Sequence, residues 1–151
     1  MSLGDQPVAK IELLIRRPVA QVFDAFVNPD VITKFWFNRT SASLVAGKSV
    51  TWYWDLYEAS TKVRVLALEQ DHRIYIEWDV DSDSPSRVEW TFQDRADDGT
   101  YVSVVNSGFD RDADDVIDRV VDSTGGFALV LAAAKAYLEH GIALNIVADR
   151  F

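Results

Sequence analysis

The sequence predicts an α+β domain in which a curved antiparallel sheet wraps around one long C-terminal helix. Residues 123–140 repeat apolar side chains at helical spacing, and alanines cover most of the remaining circumference, so this helix should be buried. Residues 40–107 alternate apolar and polar side chains with the period of two that is typical of strands. Two prolines between a first strand and this region indicate two short helices.

The N-terminal segment supplies the first strand and both short helices. Residues 10–16 alternate in the manner of a strand with one buried face. Pro18 stands where the first turn of a helix tolerates proline, and Asn28 with Pro29 repeats the arrangement with an N-cap side chain. We expect the second helix to carry Val31, Ile32, Phe35 and Trp36.

Five further strands are predicted to form a meander with one apolar face. That face should carry four of the five tryptophans, while Glu77 and Glu89 point the opposite way. The residues assigned to it are Val50, Trp52, Trp54, Val63, Val65, Ala67, Ile74, Ile76, Trp78, Val88, Trp90 and Phe92.

The segments around the long helix are less regular. Residues 108–122 form an acidic connector with at most a short helical turn, and their carboxylates suit the positive end of the helix that follows. After Gly141, a short tail should pack Ile142, Leu144 and Ile146 back onto the domain.

Composition and charge exclude several classes of function. A chain of 151 residues fits one domain, which we place at residues 8–151, with residues 1–7 disordered or derived from a tag. The net charge of −9 opposes binding to nucleic acid or to an anionic membrane. The chain has no cysteine, no apolar run long enough to insert into a membrane and no signal pattern, so we expect a cytoplasmic protein.

The order of these elements resembles the helix-grip, or START-like, fold. The detailed motifs resemble the activator of heat-shock protein 90 ATPase homologue-like family. They are the segment 17–26 (RPVAQVFDAF), the Asn28-Pro29 corner, Phe35-Trp36, Gly47-Lys48 before a strand, and 138–141 (LEHG) ahead of the apolar tail. Gly47-Lys48 departs from the pattern of this family, because a glycine pair is common in its members at this place.

The resemblance implies a deep cavity between the concave face of the sheet and the long helix. In related proteins such cavities hold hydrophobic or amphipathic small molecules, so we expect a ligand-binding protein of that kind. Two alternatives stay open: an aromatase- or cyclase-like enzyme that uses the same cavity, and a co-chaperone-like module that binds a protein partner. Self-association into a homodimer is not decided by the sequence.

Large aromatic side chains are the candidates for the cavity lining, because they combine apolar area with a polar indole N–H. The expected ligand-binding residues are Trp36, Trp52, Trp54, Trp78, Trp90, Phe92, Phe127 and Leu131.

No catalytic residue, metal ligand or cofactor site is assigned from the sequence. His72 and His140 lack the spacing of a metal site or of a nucleophile and its base. The acidic runs that begin at Asp79 and Asp110 resemble calcium loops for three positions only, and both lack the required glycine and glutamate.

Overall fold

A computed structural model of the chain describes residues 7–55, 58–147 and 149. Seven antiparallel strands form one curved sheet in the spatial order β1-β7-β6-β5-β4-β3-β2. The elements are β1 (Ala9–Ile15), α1 (Val19–Val27), α2 (Pro29–Ile32), β2 (Arg39–Thr40), β3 (Ser49–Trp54), β4 (Ala59–Glu69), β5 (Arg73–Trp78), β6 (Ser86–Asp94), β7 (Thr100–Ser107) and α3 (Val116–His140). The predicted fold class and helix-grip architecture are confirmed. The expectation for residues 1–7 lies outside the described residues, apart from Pro7.

The second short helix is shorter than predicted. Asn28 caps it, with its side-chain oxygen accepting the Asp30 N–H at 3.0 Å, but the helix ends at Ile32. The Thr33 hydroxyl donates to the Pro29 carbonyl at 2.7 Å, so it competes with the backbone N–H groups for that carbonyl oxygen. Trp36 therefore lies in a turn beyond α2, from which it reaches the core.

A β-bulge in β4 overturns part of the predicted strand phase. Val65 lies opposite Ile76, whereas the next paired residue is Ala67, opposite Tyr75, so Leu66 is the extra residue. Leu68 then faces Ile74 on the inner side, and Ala67, which the alternation placed inside, lies on the outer side. Every position from 65 to 68 is apolar, so the sequence pattern carries no signal of this slip.

Helix α3 begins at Val116 and not at residue 123, so the second half of the acidic connector is helical. Its buried residues lie near the middle of the helix, at Val130, Leu131, Ala133 and Ala134, and Ile117 near its start is 75% exposed. Within the predicted segment 123–140, residues 123–129 and 135–139 are only half-buried. The expectation that this segment is buried is therefore correct only in its middle.

The chain after α3 packs differently from the prediction. Gly141 ends the helix in the left-handed conformation, with φ of 67°, which glycine adopts without strain. Ile146 and Val147 pack against the core, while Ile142 and Leu144 are exposed. Of the three tail residues expected inside, only Ile146 is there.

Hydrogen bonds fix the C-terminal end of α3 to the end of β1. Arg17 donates from Nε to the Leu138 carbonyl at 2.9 Å and from Nη2 to the Glu139 carbonyl at 2.5 Å. The Glu139 carboxylate accepts the Arg16 N–H and the Lys135 ammonium, each at 2.7 Å. Lys135 also donates to the Leu14 carbonyl at 2.7 Å. We call these contacts the helix anchor.

The pKa of the Glu139 carboxyl is lower in the folded chain than its ordinary value. Burial alone would raise its pKa, but the hydrogen bonds from Arg16 and Lys135, and the charges of Lys135 and His140, outweigh burial and lower the pKa. Ionised Glu139 therefore stabilises the fold above its unfolded pKa of about 4.3, and that contribution is lost as the pH falls through the folded pKa.

Glu139→Gln should lower the free energy of unfolding by about 2 kcal/mol at pH 7, because two charge-assisted hydrogen bonds are weakened. The difference in free energy of unfolding between the variant and the parent protein should become smaller as the pH falls below 4. Urea unfolding of both proteins from pH 7 to pH 3 measures this difference. The control is Glu12→Gln, which removes only an exposed pair with Lys10 at 4.0 Å. A loss at Glu139 that is the same at every pH would contradict the assignment.

Candidate functional site

A cavity of about 380 Å³ lies between the concave face of the sheet and the N-terminal half of α3, partly open to solvent. β5, β6 and β7 supply its floor, and the turn after α2 supplies Trp36. Its lining residues are Trp36, Trp54, Trp78, Asp79, Ser84, Ser86, Asn106, Phe109, Arg119, Asp122, Ser123, Gly126, Phe127, Leu129, Val130 and Val147.

One wall of the cavity is aromatic. The indoles of Trp36 and Trp78 are nearly parallel, with an angle of 8° and centroids 5.9 Å apart. Trp54 meets Trp78 edge-on at 6.1 Å, and Phe127 of α3 meets Trp36 edge-on at 5.9 Å. These four rings come from β3, β5, α3 and the turn after α2, and they hold one another in place through contacts of favourable geometry.

The eight expected lining residues divide into two groups. Trp36, Trp54, Trp78 and Phe127 line the cavity. The others lie deeper in the core, each less than 5% exposed: Trp52, Trp90, Phe92 and Leu131. A ligand role for any of the eight stays a prediction.

Contacts with other aromatic side chains hold the two core indoles, those of Trp52 and Trp90, apart from the cavity. Trp52 stacks on Phe37 at 4.5 Å, so one of its faces is covered by protein. Trp90 packs edge-on against Phe127 at 6.0 Å, on the side of Phe127 away from solvent. The Trp90 Nε1 donor has no hydrogen-bond partner among the described residues.

The opposite wall is polar and neutral. Asn106 on β7 donates from Nδ2 to Ser86 Oγ at 3.0 Å and to the Arg87 carbonyl at 2.8 Å. Ser123 on α3 donates its hydroxyl proton to Asn106 Oδ1 at 2.7 Å. Asn106 is 4% exposed, and Ser86 is 7% exposed. We call Ser86, Asn106 and Ser123 the polar trio.

Sequence reasoning missed the polar trio. One signal was available: β7 alternates with Val102 and Val104 inward, so a polar residue at position 106 falls on the inner face. Polar side chains at inward positions need partners, and partners from other segments imply a built site. Nothing in the sequence places Ser86 and Ser123 beside Asn106.

Charged groups lie at the cavity mouth, and these too were missed. Asp79 follows β5 and accepts a short hydrogen bond from the Thr61 hydroxyl. Asp122 lies one turn along α3 from Arg119, whose guanidinium donates to the Ser84 carbonyl at 3.4 Å and lies over the Phe109 ring. The sequence pattern indicated solvated acidic loops at these positions.

The carboxylates that the sequence singled out lie elsewhere. Glu77 pairs with Arg64 at 3.6 Å, and Glu89 pairs with Arg73 at 2.5 Å, both on the convex face of the sheet. The hydrogen bond from Arg73 to Glu89 raises the pKa of Arg73 despite partial desolvation. These charges support the outside of the sheet and do not reach the cavity.

Within the described part of the chain, no cluster of histidine or acidic side chains has the arrangement of a metal site. Across the same residues, no helix combines the length and apolar character needed to cross a membrane.

Comparisons with known proteins agree with the architecture. The sequence pattern of the family described as "Activator of Hsp90 ATPase homolog 1-like protein" matches residues 16–139. No curated protein sequence matches the chain.

Solved structures share the fold. A Staphylococcus saprophyticus protein is 25% identical, with a TM-score of 0.77 over 91% of this chain and 95% of that one. The Aha1 dimer of Colwellia psychrerythraea has 15% identity and a TM-score of 0.77 over 89% of this chain and 97% of that one. DynU16, from the dynemicin biosynthetic locus, has 22% identity and a TM-score of 0.76 over 91% of this chain but only 49% of its own length.

The hydrogen bonds of Asn106 can be tested by Asn106→Asp. The ionised carboxylate cannot donate, so it would face the Arg87 carbonyl with an oxygen, whereas the Ser86 hydroxyl can turn and donate to it. We expect a loss of about 2 kcal/mol at pH 7. Stability should recover as the pH falls, because the protonated carboxyl regains one donor.

The control is Asn38→Asp, because Asn38 uses its Oδ1 to accept the Asp55 N–H at 2.6 Å, and a carboxylate keeps that bond. Chemical unfolding of both variants between pH 4 and pH 8 measures the effect. Equal destabilisation of the two variants would contradict the assigned orientation of the Asn106 amide.

Proposed function

We propose, because the chain belongs to the Activator of Hsp90 ATPase homolog 1-like family, that it binds a small hydrophobic or amphipathic molecule in the cavity between the sheet and α3. The observation that carries the proposal is the aromatic wall, where Trp36, Trp54, Trp78 and Phe127 border a volume of about 380 Å³. Small-molecule sites have volumes of about 300–1,000 Å³ with mostly apolar linings and a few polar groups.

The shape of the wall favours a flat ligand. Trp36 and Trp78 are stacked almost parallel, so each covers part of one face of the other and their planes share one direction beside the cavity. A planar aromatic ring system with the same orientation could add to this stack, and its apolar area would leave water on binding. A ring system of two or three fused rings is the class of ligand that we propose.

The protein-interaction module is less well supported. That function requires no cavity, whereas the described residues enclose one with an aromatic wall. A second copy of this chain is retained as a proposed partner, because the Colwellia psychrerythraea relative of the same fold was solved as a dimer. Sedimentation at micromolar concentration tests it, and a monomer at every concentration would overturn it.

A second candidate function, an aromatase- or cyclase-like enzyme, is favoured by one observation. Asp79 and Asp122 line the mouth of the cavity, so ionisable groups are within reach of a bound molecule. If Asp79 moves a proton during turnover, Asp79→Asn should abolish product formation from a bound polyketide-like substrate and leave its affinity within about threefold. Mass spectrometry after incubation measures the product, and equal turnover by the variant would rule out this role.

Ligand binding can be tested with N-phenyl-1-naphthylamine, a neutral aromatic probe whose fluorescence rises in apolar surroundings. Trp78→Leu should weaken its binding about tenfold, because one of the two stacked indoles that border the cavity is lost. The control is Tyr75→Leu, which removes an aromatic ring from the same strand on the opposite face.

The titration is read together with thermal melting of both variants. A folded Trp78→Leu protein that binds the probe as tightly as the parent protein would contradict the proposed site. Absence of probe binding by the parent protein would count against the cavity function itself.

A further inference from the structure

The hydrogen bonds of the polar trio fix the direction in which its protons point. The Arg87 carbonyl can only accept, so the Asn106 side-chain atom at 2.8 Å from it must be the amide nitrogen. The amide oxygen therefore faces Ser123, and the Ser123 hydroxyl must be the donor of the 2.7 Å bond between them. The Ser123 oxygen then presents its lone pairs elsewhere.

The Ser86 hydroxyl has the opposite role, because it accepts a hydrogen bond from Asn106 whereas Ser123 donates one. Its oxygen accepts the second amide proton of Asn106 at 3.0 Å. The hydrogen bonds among the described residues include none donated by its own proton, and Ser86 lines the cavity. The cavity wall therefore presents one donor at Ser86 and one acceptor at Ser123, on the two sides of a single carboxamide.

We infer that the polar trio recognises a neutral hydroxyl group on the aromatic ligand, which accepts from Ser86 and donates to Ser123. The inference rests on the proposed function and specifies its ligand. A hydroxyl both donates and accepts, so it complements the two serines at once. A carbonyl or ether oxygen satisfies only Ser86, and an ammonium satisfies only Ser123.

Charge at the cavity also disfavours an anionic group. A carboxylate would place its negative oxygens beside the lone pairs of Ser123, in a cavity bordered, among the described residues, by the Asp79 and Asp122 carboxylates and by a single guanidinium, that of Arg119. Like charges in a partly desolvated site are unfavourable. The ligand class is thus a phenol or alcohol borne on a flat fused ring system.

The test compares two ligands of almost the same shape, 2-naphthol and 2-methylnaphthalene, by displacement of N-phenyl-1-naphthylamine at pH 7. Ser86→Ala and Ser123→Ala should each weaken 2-naphthol binding about fivefold, the usual effect of one lost hydrogen bond. Binding of 2-methylnaphthalene should change by less than about twofold, since it uses neither serine. Comparing each ligand with itself across variants removes their difference in hydrophobicity.

The control is Ser103→Ala, a serine on the outer side of β7 that should affect neither ligand. Two variants are used because Ser86 is buried, while Ser123 is only half-buried and its loss leaves the Asn106 bond to Arg87 intact. Either folded variant suffices for the comparison.

The outcomes separate the two proposals. A loss of affinity that is equal for both ligands, or 2-naphthol binding that is unchanged in the variants, would overturn hydroxyl recognition and leave the cavity function standing. If the parent protein binds the probe but neither ligand displaces it, hydroxyl recognition fails and the cavity function stands. If the parent protein does not bind the probe, both proposals fail.

Discussion

The helix anchor is the interaction on which the rest of the structure depends. Arg17 occupies carbonyls at the end of α3, where the helix has acceptors without intrahelical partners, and Glu139 binds the backbone of Arg16 in return. These contacts fix the C-terminal end of α3 closely to the sheet. Towards its N-terminal half, α3 reaches the sheet through the hydrogen bond of Ser123 to Asn106, and the cavity lies beside that contact.

The cavity persists because its walls support themselves. The rings of Trp36, Trp54, Trp78 and Phe127 pack on one another, so none of them has to cross the gap to find a partner. Gly126 opposite them adds no side chain of its own. A core that filled this volume would gain apolar burial and dispersion contacts. The cavity, partly open to solvent, therefore leaves room for the small molecule of the proposed function.

Much of the fold could be predicted from the sequence, and the failures have specific causes. Period-two alternation placed the tryptophans on one face of the sheet and both Glu77 and Glu89 on the other, because successive side chains of a strand point to opposite faces. The bulge at Leu66 escaped because its neighbours are all apolar. The site was harder: the polar trio joins β6, β7 and α3, and only tertiary contacts bring those segments together.

The polar trio is also unusual in energetic terms. A buried amide whose partners are all neutral contributes only about 1 kcal/mol of net stability per hydrogen bond, and an apolar side chain at position 106 would need none of these partners. The inner face of the sheet around the trio is built mostly from valine, isoleucine and aromatic residues, and its other buried polar side chains, in the described part of the chain, are those of Thr61 and Thr100. Sites that depart from local stability in this way are typically functional ones. Under the proposed function, the Ser86 hydroxyl supplies a donor on the cavity wall, and a ligand hydroxyl would supply the acceptor.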